Sequence, residues 1–149
     1  MKNRLLYPEI QLSHRVPLQI RFGDYDIFGH INNNSYVAYF DLGKTMFFNK
    51  LLQKTYRPAD LSAAIVNINV DFLSPALMGE SLEVHNAVTH IGDRSFTVYQ
   101  RVVNPLSGDV KAQATSVLAG FDVKTQGPAP LRDDLRLLLQ ANLLFSDPS

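Results

Sequence analysis

The sequence predicts an α+β domain in which a five-stranded antiparallel sheet wraps one long central helix, with a further helix at the C-terminal end. Three observations predict it. The stretch from Asn34 to about Leu52 is apolar on nearly every side, the mark of a buried helix. Three later runs alternate with period two and are joined by short turn signals, which makes their strands antiparallel. And 149 residues, 46% of them apolar, suffice for one core but not comfortably for two.

The elements follow in order. Residues 1–13 read as an N-terminal extension, with Pro8 interrupting any regular structure. Val16 to Phe22 is the first strand, with Val16, Leu18, Ile20 and Phe22 on one face. A turn carrying Asp24, Asp26, Gly29 and His30 leads to Asn32, Asn33 and Asn34, an N-cap signal ahead of an apolar run. Along the helix Tyr36, Tyr39, Phe40, Gly43, Met46, Phe47 and Leu51 recur at three- and four-residue spacing, and Val37, Ala38 and Phe48 fill much of the remaining circumference. Only Asp41, Lys44 and Thr45 make a polar stripe, with Asp41 and Lys44 spaced for an i,i+3 pair.

Gln53 to Ser62 reads as loop, and Ala63 to Phe72 as the second strand. Ser74-Pro75 and Met78-Gly79 mark turns. The three alternating runs are Ser81–Ile91, Ser95–Asn104 and Val110–Val123, joined by a tight hairpin at Gly92-Asp93 and a longer one at Asn104–Asp109. Ala112, Ala114 and Ser116 put small residues on one face of the last strand, where a helix could approach closely. After a break at Lys124–Pro130, Leu131, Leu135, Leu138, Leu139 and Leu143 form the stripe of a C-terminal helix, with Asp133 and Asp134 in its first turn. Its place is packing or partner surface. The folded domain is then 14–125 and the helical tail 126–149.

Composition excludes several functions. Basic and acidic side chains balance at 14 each, and the aromatics gather on the helix rather than between cations, so nucleic acid is not the expected partner. No cysteine is present, which removes thiolate catalysis and cysteine-based zinc sites. The four histidines form no i,i+4 helical pair, so no metal is expected; His85 reads as solvent-facing and His90 as a strand-end residue. Nucleophile-elbow, Walker and dinucleotide-binding glycine motifs are all missing. Nothing approaches the ~18 apolar residues of a membrane span, and the N-terminus lacks the apolar region of a secretory signal, so a cytoplasmic location is expected.

The Asp24–Asn34 stretch carries the chemistry. A carboxylate followed within a few residues by a helix N-terminus offers a nucleophile or general base beside free N–H groups that favour an oxyanion. That is a minimal kit for cleaving an activated acyl bond. Asp-x-Asp-x-x-Gly is equally a common plain turn, with aspartates bonding the backbone. Spacing alone leaves both readings open.

The string Arg21-Phe22-Gly23-Asp24-Tyr25-Asp26-Ile27-Phe28-Gly29-His30-Ile31-Asn32-Asn33, followed by Tyr36, resembles the signature of the 4-hydroxybenzoyl-CoA thioesterase-like family of hotdog-fold acyl-CoA thioesterases. Val70–Pro75, Gly92–Phe96 and the segment after Phe121 resemble later parts of the same pattern, so the likeness spans roughly residues 14–135. It implies a hotdog fold, a homodimer often doubled to a dimer of dimers, active sites at the dimer interface, an acyl-CoA substrate and no cofactor. By position it makes Asp26 the catalytic carboxylate, as nucleophile or as base for water, and gives the thioester carbonyl to the backbone N–H near Asn33. His30 joins the catalytic set, to orient the loop, contact substrate or donate to the carbonyl. Gly29, Tyr36, Arg94 and Ser95 are assigned to substrate, Arg94 and Ser95 to the nucleotide or pantetheine of coenzyme A. Asp24 caps the turn. The departing thiol, with a pKa of about 8.5, needs no strong acid.

Two departures stand out. Phe40-Asp41-Leu42-Gly43-Lys44 replaces the family's Phe-Glu-x-Ala-Arg, and a glycine there lowers helix propensity by about 1 kcal/mol, which fits a close backbone contact with the sheet or a partner. Asp41 is a rival carboxylate, because another hotdog branch carries its acid on this helix; the His-Gly-Gly lead-in of that branch is missing, which favours Asp26. The Gly-Asp-x-Asn-Pro-x-His context of hotdog dehydratases is also absent. The alternative function is a non-catalytic module binding acyl-CoA or acyl-carrier protein. The acyl pocket is expected from side chains such as Tyr36, Phe40 and Phe72.

Overall fold

The structure, a computed structural model, describes residues 5–145; the first four residues of the expected extension and the last four of the expected tail lie outside the described residues. Asn32 starts the central helix α1 (Asn33–Leu52), its side-chain oxygen accepting from the Asn34 N–H at 3.0 Å. Gln53, in the left-handed conformation, ends it.

Around α1 lie β1 (His14–Pro17), β2 (Ala63–Phe72), β3 (Glu83–Ile91), β4 (Ser95–Val103) and β5 (Val110–Asp122), in the spatial order β1-β3-β4-β5-β2 and antiparallel throughout. A two-residue strand β6 (Gly127–Pro128) pairs with the end of β5, so the five expected strands gain a short sixth. A one-turn helix α2 (Pro58–Leu61) lies within the segment expected as loop. Helix α3 (Asp133–Ala141) follows β6 and sends Leu135 and Leu139 into the core beside Phe47, Phe48 and Val88.

The first strand is shorter and earlier than expected. Proline has no N–H for the ladder, and β1 stops at Pro17. Phe22, expected at the end of that strand on one face with Val16, Leu18 and Ile20, instead opens a 3-10 turn (Phe22–Asp24) and is 88% exposed.

Gly43 shows how closely helix and sheet meet. A Cβ there would lie 2.7 Å from Gln100 Nε2 and Val84 Cγ2 and 2.8 Å from Asn86 Oδ1. The close contact is therefore with the sheet, and Ala112 and Ala114 of β5 pack in the cluster that holds Tyr36, Tyr39 and Phe40. Lys44 departs from a solvent-facing stripe: it is buried, donating to Gln100 Oε1 at 3.0 Å, with the Asp41 carboxylate 3.8 Å away. Burial pulls its ammonium below the usual lysine range, although Asp41 opposes the shift.

The other face of the sheet is also covered. Residues 6–12 lie across it, their carbonyls at Leu6, Tyr7 and Ile10 accepting from the buried Arg101 guanidinium. This cover explains why His85, expected in solvent, is buried. His90, next to the end of β3, is exposed.

Candidate active site

The turn between β1 and α1 is a small hairpin. The Asp26 N–H donates to the His30 carbonyl at 2.8 Å, and Tyr25 bridges Ile31. Gly29 makes the reversal possible with φ of +75°, a conformation side chains disfavour. The hairpin docks on residues 76–78: the Ile31 N–H donates to the Ala76 carbonyl, and the Met78 N–H to the Gly29 carbonyl, both at 2.9 Å.

The two aspartates of the motif separate in role. Asp24 is buried, its Oδ2 accepting from the Arg21 N–H at 2.9 Å and the Tyr39 hydroxyl at 2.8 Å. Burial would raise its pKa, but these hydrogen bonds and the Arg21 guanidinium outweigh it and hold the carboxyl below its ordinary value. Asp24 thus caps the turn, as expected. Asp26 is exposed, and its Oδ1 accepts from the Phe28 N–H at 2.9 Å and the His30 N–H at 3.1 Å. Both backbone donors act on one oxygen, leaving Oδ2 without a protein donor among the described residues. Asp26 is therefore a backbone-bonded turn residue and an oriented, available carboxylate at once.

A cleft of about 290 Å³ gathers Asp26, His30, Asn33 and Tyr36 against a wall of Phe72, Leu73, Ser74 and Pro75. Asn33 is the first residue of α1, where the N–H has no acceptor inside the helix. Tyr36 is buried against the Phe72 ring, with centroids 5.6 Å apart, and burial is the main cause that pushes its pKa up to about 12, so its hydroxyl stays protonated. Of the expected acyl-pocket side chains, Tyr36 and Phe72 line this cleft, whereas Phe40 is fully enclosed in the core. Asp41 lies eight residues beyond Asn33, about 12 Å along the helix, and is not part of the cleft. Among the described residues no three His, Asp or Glu side chains are grouped to hold a metal ion.

The model of the Thioesterase-like superfamily matches residues 20–139. The chain belongs to that family. The long-chain acyl-CoA thioesterase FadM of Escherichia coli (strain K12) is 23% identical over 124 residues, covering 83% of this chain and 94% of that protein. A predicted thioesterase from Bacillus stearothermophilus superposes with a TM-score of 0.77 at 26% identity, covering 87% of this chain and 95% of the other. A thioesterase from Thermus thermophilus, complexed with coenzyme A and Zn, superposes with a TM-score of 0.70 at 25% identity, covering 85% and 92%. These likenesses bear out the hotdog fold and support the thioester-hydrolase reading of the sequence.

Within this thioesterase-like chain, Arg94 and Ser95 sit far from Asp26. Ser95 pairs with Ala119, which pairs with Ala64 at the start of β2, whereas Phe72 of the cleft is at its end. Eight residues at ~3.3 Å each separate the two ends by about 25 Å. Ser74 and Pro75, which the sequence marks as a turn and as part of the Val70–Pro75 likeness but not as site residues, form part of the cleft wall. Among the described residues no helix is long and apolar enough to cross a membrane.

Proposed function

We propose that this protein hydrolyses acyl-CoA thioesters, with Asp26 as nucleophile or general base and the α1 N-terminus at Asn33 as the oxyanion site. One observation carries the reading: a carboxylate oriented by two backbone N–H groups shares a cleft with the first residue of a 20-residue helix. The helix dipole and its unpaired N–H groups stabilise the negative charge that develops on the carbonyl oxygen. Asp26 either attacks the carbonyl carbon, expelling the coenzyme A thiolate and leaving a mixed anhydride that water then hydrolyses to the acid and free Asp26, or takes a proton from an attacking water as the C–S bond breaks and the thiolate departs. His30 holds Asp26 through its backbone and contacts substrate through its imidazole, on the cleft wall. Gly29 sets the turn, and Tyr36 with Phe72 receives the acyl group.

The active unit in this reading is a homodimer joined through β2. That strand is at the end of the sheet order and exposes Ile65, Val66, Ile68 and Phe72, each at 37% or more. On α1, Val37, Leu42 and Met46 are also about 40% exposed, on a helix face that carries the exposed Ala38, Asp41 and Thr45 as well. A long apolar edge strand is a pairing surface. Antiparallel pairing of two β2 strands about a dyad sets the Phe72 end of one against the Ala63 end of the other. Arg94 and Ser95 of the second subunit then approach the cleft of the first, where they meet coenzyme A.

The test is thiol release from short, medium, long and aromatic acyl-CoAs by the wild type and Asp26→Asn. The amide keeps Oδ1 as acceptor for Phe28 and His30 but removes the charge. Turnover is expected to fall about 100-fold or more, the usual contribution of a positioned acid–base group. An unimpaired variant overturns the assignment, and tight acyl-CoA binding without thiol release identifies a binding module instead.

A further inference from the structure

We propose that Lys111, a residue outside the cleft, is the positioning residue that fixes the Asp26 turn against the helix N-terminus. The inference rests on the thioesterase reading above. It begins with an irregularity in the sheet. Val102 pairs with Ala112 and Val103 with Val110, so Lys111 is the extra residue of a bulge in β5. Bulges re-aim a side chain and are over-represented next to active sites. Here the bulged residue turns both its carbonyl and its side chain toward the segment that walls the cleft.

Its carbonyl accepts from the N–H groups of Leu73 and Ser74, at 2.8 and 3.1 Å. Its ammonium is buried and meets three acceptors: the Glu80 carboxylate at 2.9 Å, the Asp109 carboxylate at 2.8 Å and the Pro75 carbonyl at 3.3 Å. Three donors thus find three acceptors. Burial alone would lower the ammonium's pKa; the bonds to Asp109 and Glu80 outweigh it and raise it above the ordinary lysine value. Glu80 is held in turn by the Leu77 N–H at 2.6 Å and the Asn104 side-chain amide at 2.9 Å.

Pro75 and Glu80 are the two ends of the stretch on which the Asp26 hairpin docks. Between them, Ala76 accepts from Ile31, Leu77 bridges His30 and Met78 donates to Gly29. His30 in turn donates to the Asp26 carboxylate. From the ammonium to the Asp26 carboxylate the path is therefore Lys111, residues 75–80, residues 29–31, Asp26. A surface loop is ordinarily mobile. This one is tied at both ends by a single buried cation, which gives the Asp26 carboxylate a rigid seat.

The test is Lys111→Met, which keeps most of the stem and removes the charge. The expected result is a fall in kcat of about tenfold with KM nearly unchanged, the order of loss that imperfect positioning causes. Lys111→Arg restores most of the turnover. Hydrogen exchange at the Phe28, His30 and Met78 amides speeds up, while exchange along the interior of α1 does not. Should Lys111→Met fail to fold, Asp109→Asn and Glu80→Gln are expected to give the same split in smaller degree. Unchanged kcat, a loss confined to KM, or exchange that rises equally in α1 overturns the inference. Full activity in Asp26→Asn would instead remove the catalytic role of Asp26 on which the inference rests, whereas a dead Asp26→Asn with an unimpaired Lys111→Met removes only the role of Lys111.

Discussion

Gly43→Ala sets two opposing effects against each other in one methyl group. In an isolated helix the change favours folding by about 1 kcal/mol, because alanine is the better helix former. Here the new Cβ would stand 2.7 Å from Gln100 Nε2 and Val84 Cγ2 and 2.8 Å from Asn86 Oδ1, closer than such atoms approach. Those atoms are side-chain ends, but they cannot swing away into solvent, since Val84 and Gln100 are 0% and Asn86 2% exposed. Overpacking a closed core costs about 1–3 kcal/mol. Gln100 Nε2 also donates to the Phe40 carbonyl at 2.9 Å and to Asn86 Oδ1 at 2.6 Å. Displacing it leaves buried polar groups unpaired, at about 1–3 kcal/mol each. The penalties exceed the gain, for a net destabilisation of about 2–3 kcal/mol. At roughly 2–4 °C per kcal/mol for a chain of this size, Tm is expected to fall by about 5–10 °C. Urea and thermal unfolding at one fixed protein concentration measure it. A variant as stable as the wild type, or more stable, refutes the close approach.

Other outcomes follow from the same geometry. Tyr39→Phe removes the buried hydroxyl that donates to Asp24 Oδ2 at 2.8 Å and is expected to destabilise by about 1.5–3 kcal/mol, as hydrogen bonds to charged groups do; urea unfolding checks it. Asn32→Ala deletes the α1 cap and is expected to cost about 1 kcal/mol, together with some turnover, because Asn33 is the next residue; unfolding and thiol-release assays separate the two. In acid, the folded carboxyls of Glu80 and Asp24 titrate below their ordinary values. For Glu80, burial opposes the shift, but the Leu77 N–H, Lys111 and Asn104 outweigh it and hold the carboxyl at about 2 instead of 4.5. A depressed carboxyl pKa stabilises the fold above the unfolded value, so this stability is present above about 4.5 and lost as pH falls toward about 2. Unfolding free energies measured across that range should decline, and Glu80→Gln should flatten the decline.

The sequence by itself determined what is local. Asn32 could be read as a cap because capping needs only an oxygen two residues from an N–H. The β3–β4–β5 meander was legible because each hairpin carries its own turn residues. Asp26, His30 and Asn33, which line one side of the candidate cleft, lie within eight consecutive residues, so their proximity is local in the sequence. Long-range register decided the rest. Phe72–Pro75 became the cleft wall because the hairpin docks on the segment just after it, pairing residues 29–31 with 76–78 across a separation that no period in the sequence records. Lys44 reads as a surface charge until Gln100, 56 residues away, is found beneath it. Lys111 sits in an alternating strand and would count as one more outward cation, but the bulge breaks the alternation and buries it among Glu80, Asp109 and Pro75. Alternation and helical spacing report which face a residue takes on its own element. What waits on that face is set by segments distant in the chain, and only their packing in three dimensions supplies it.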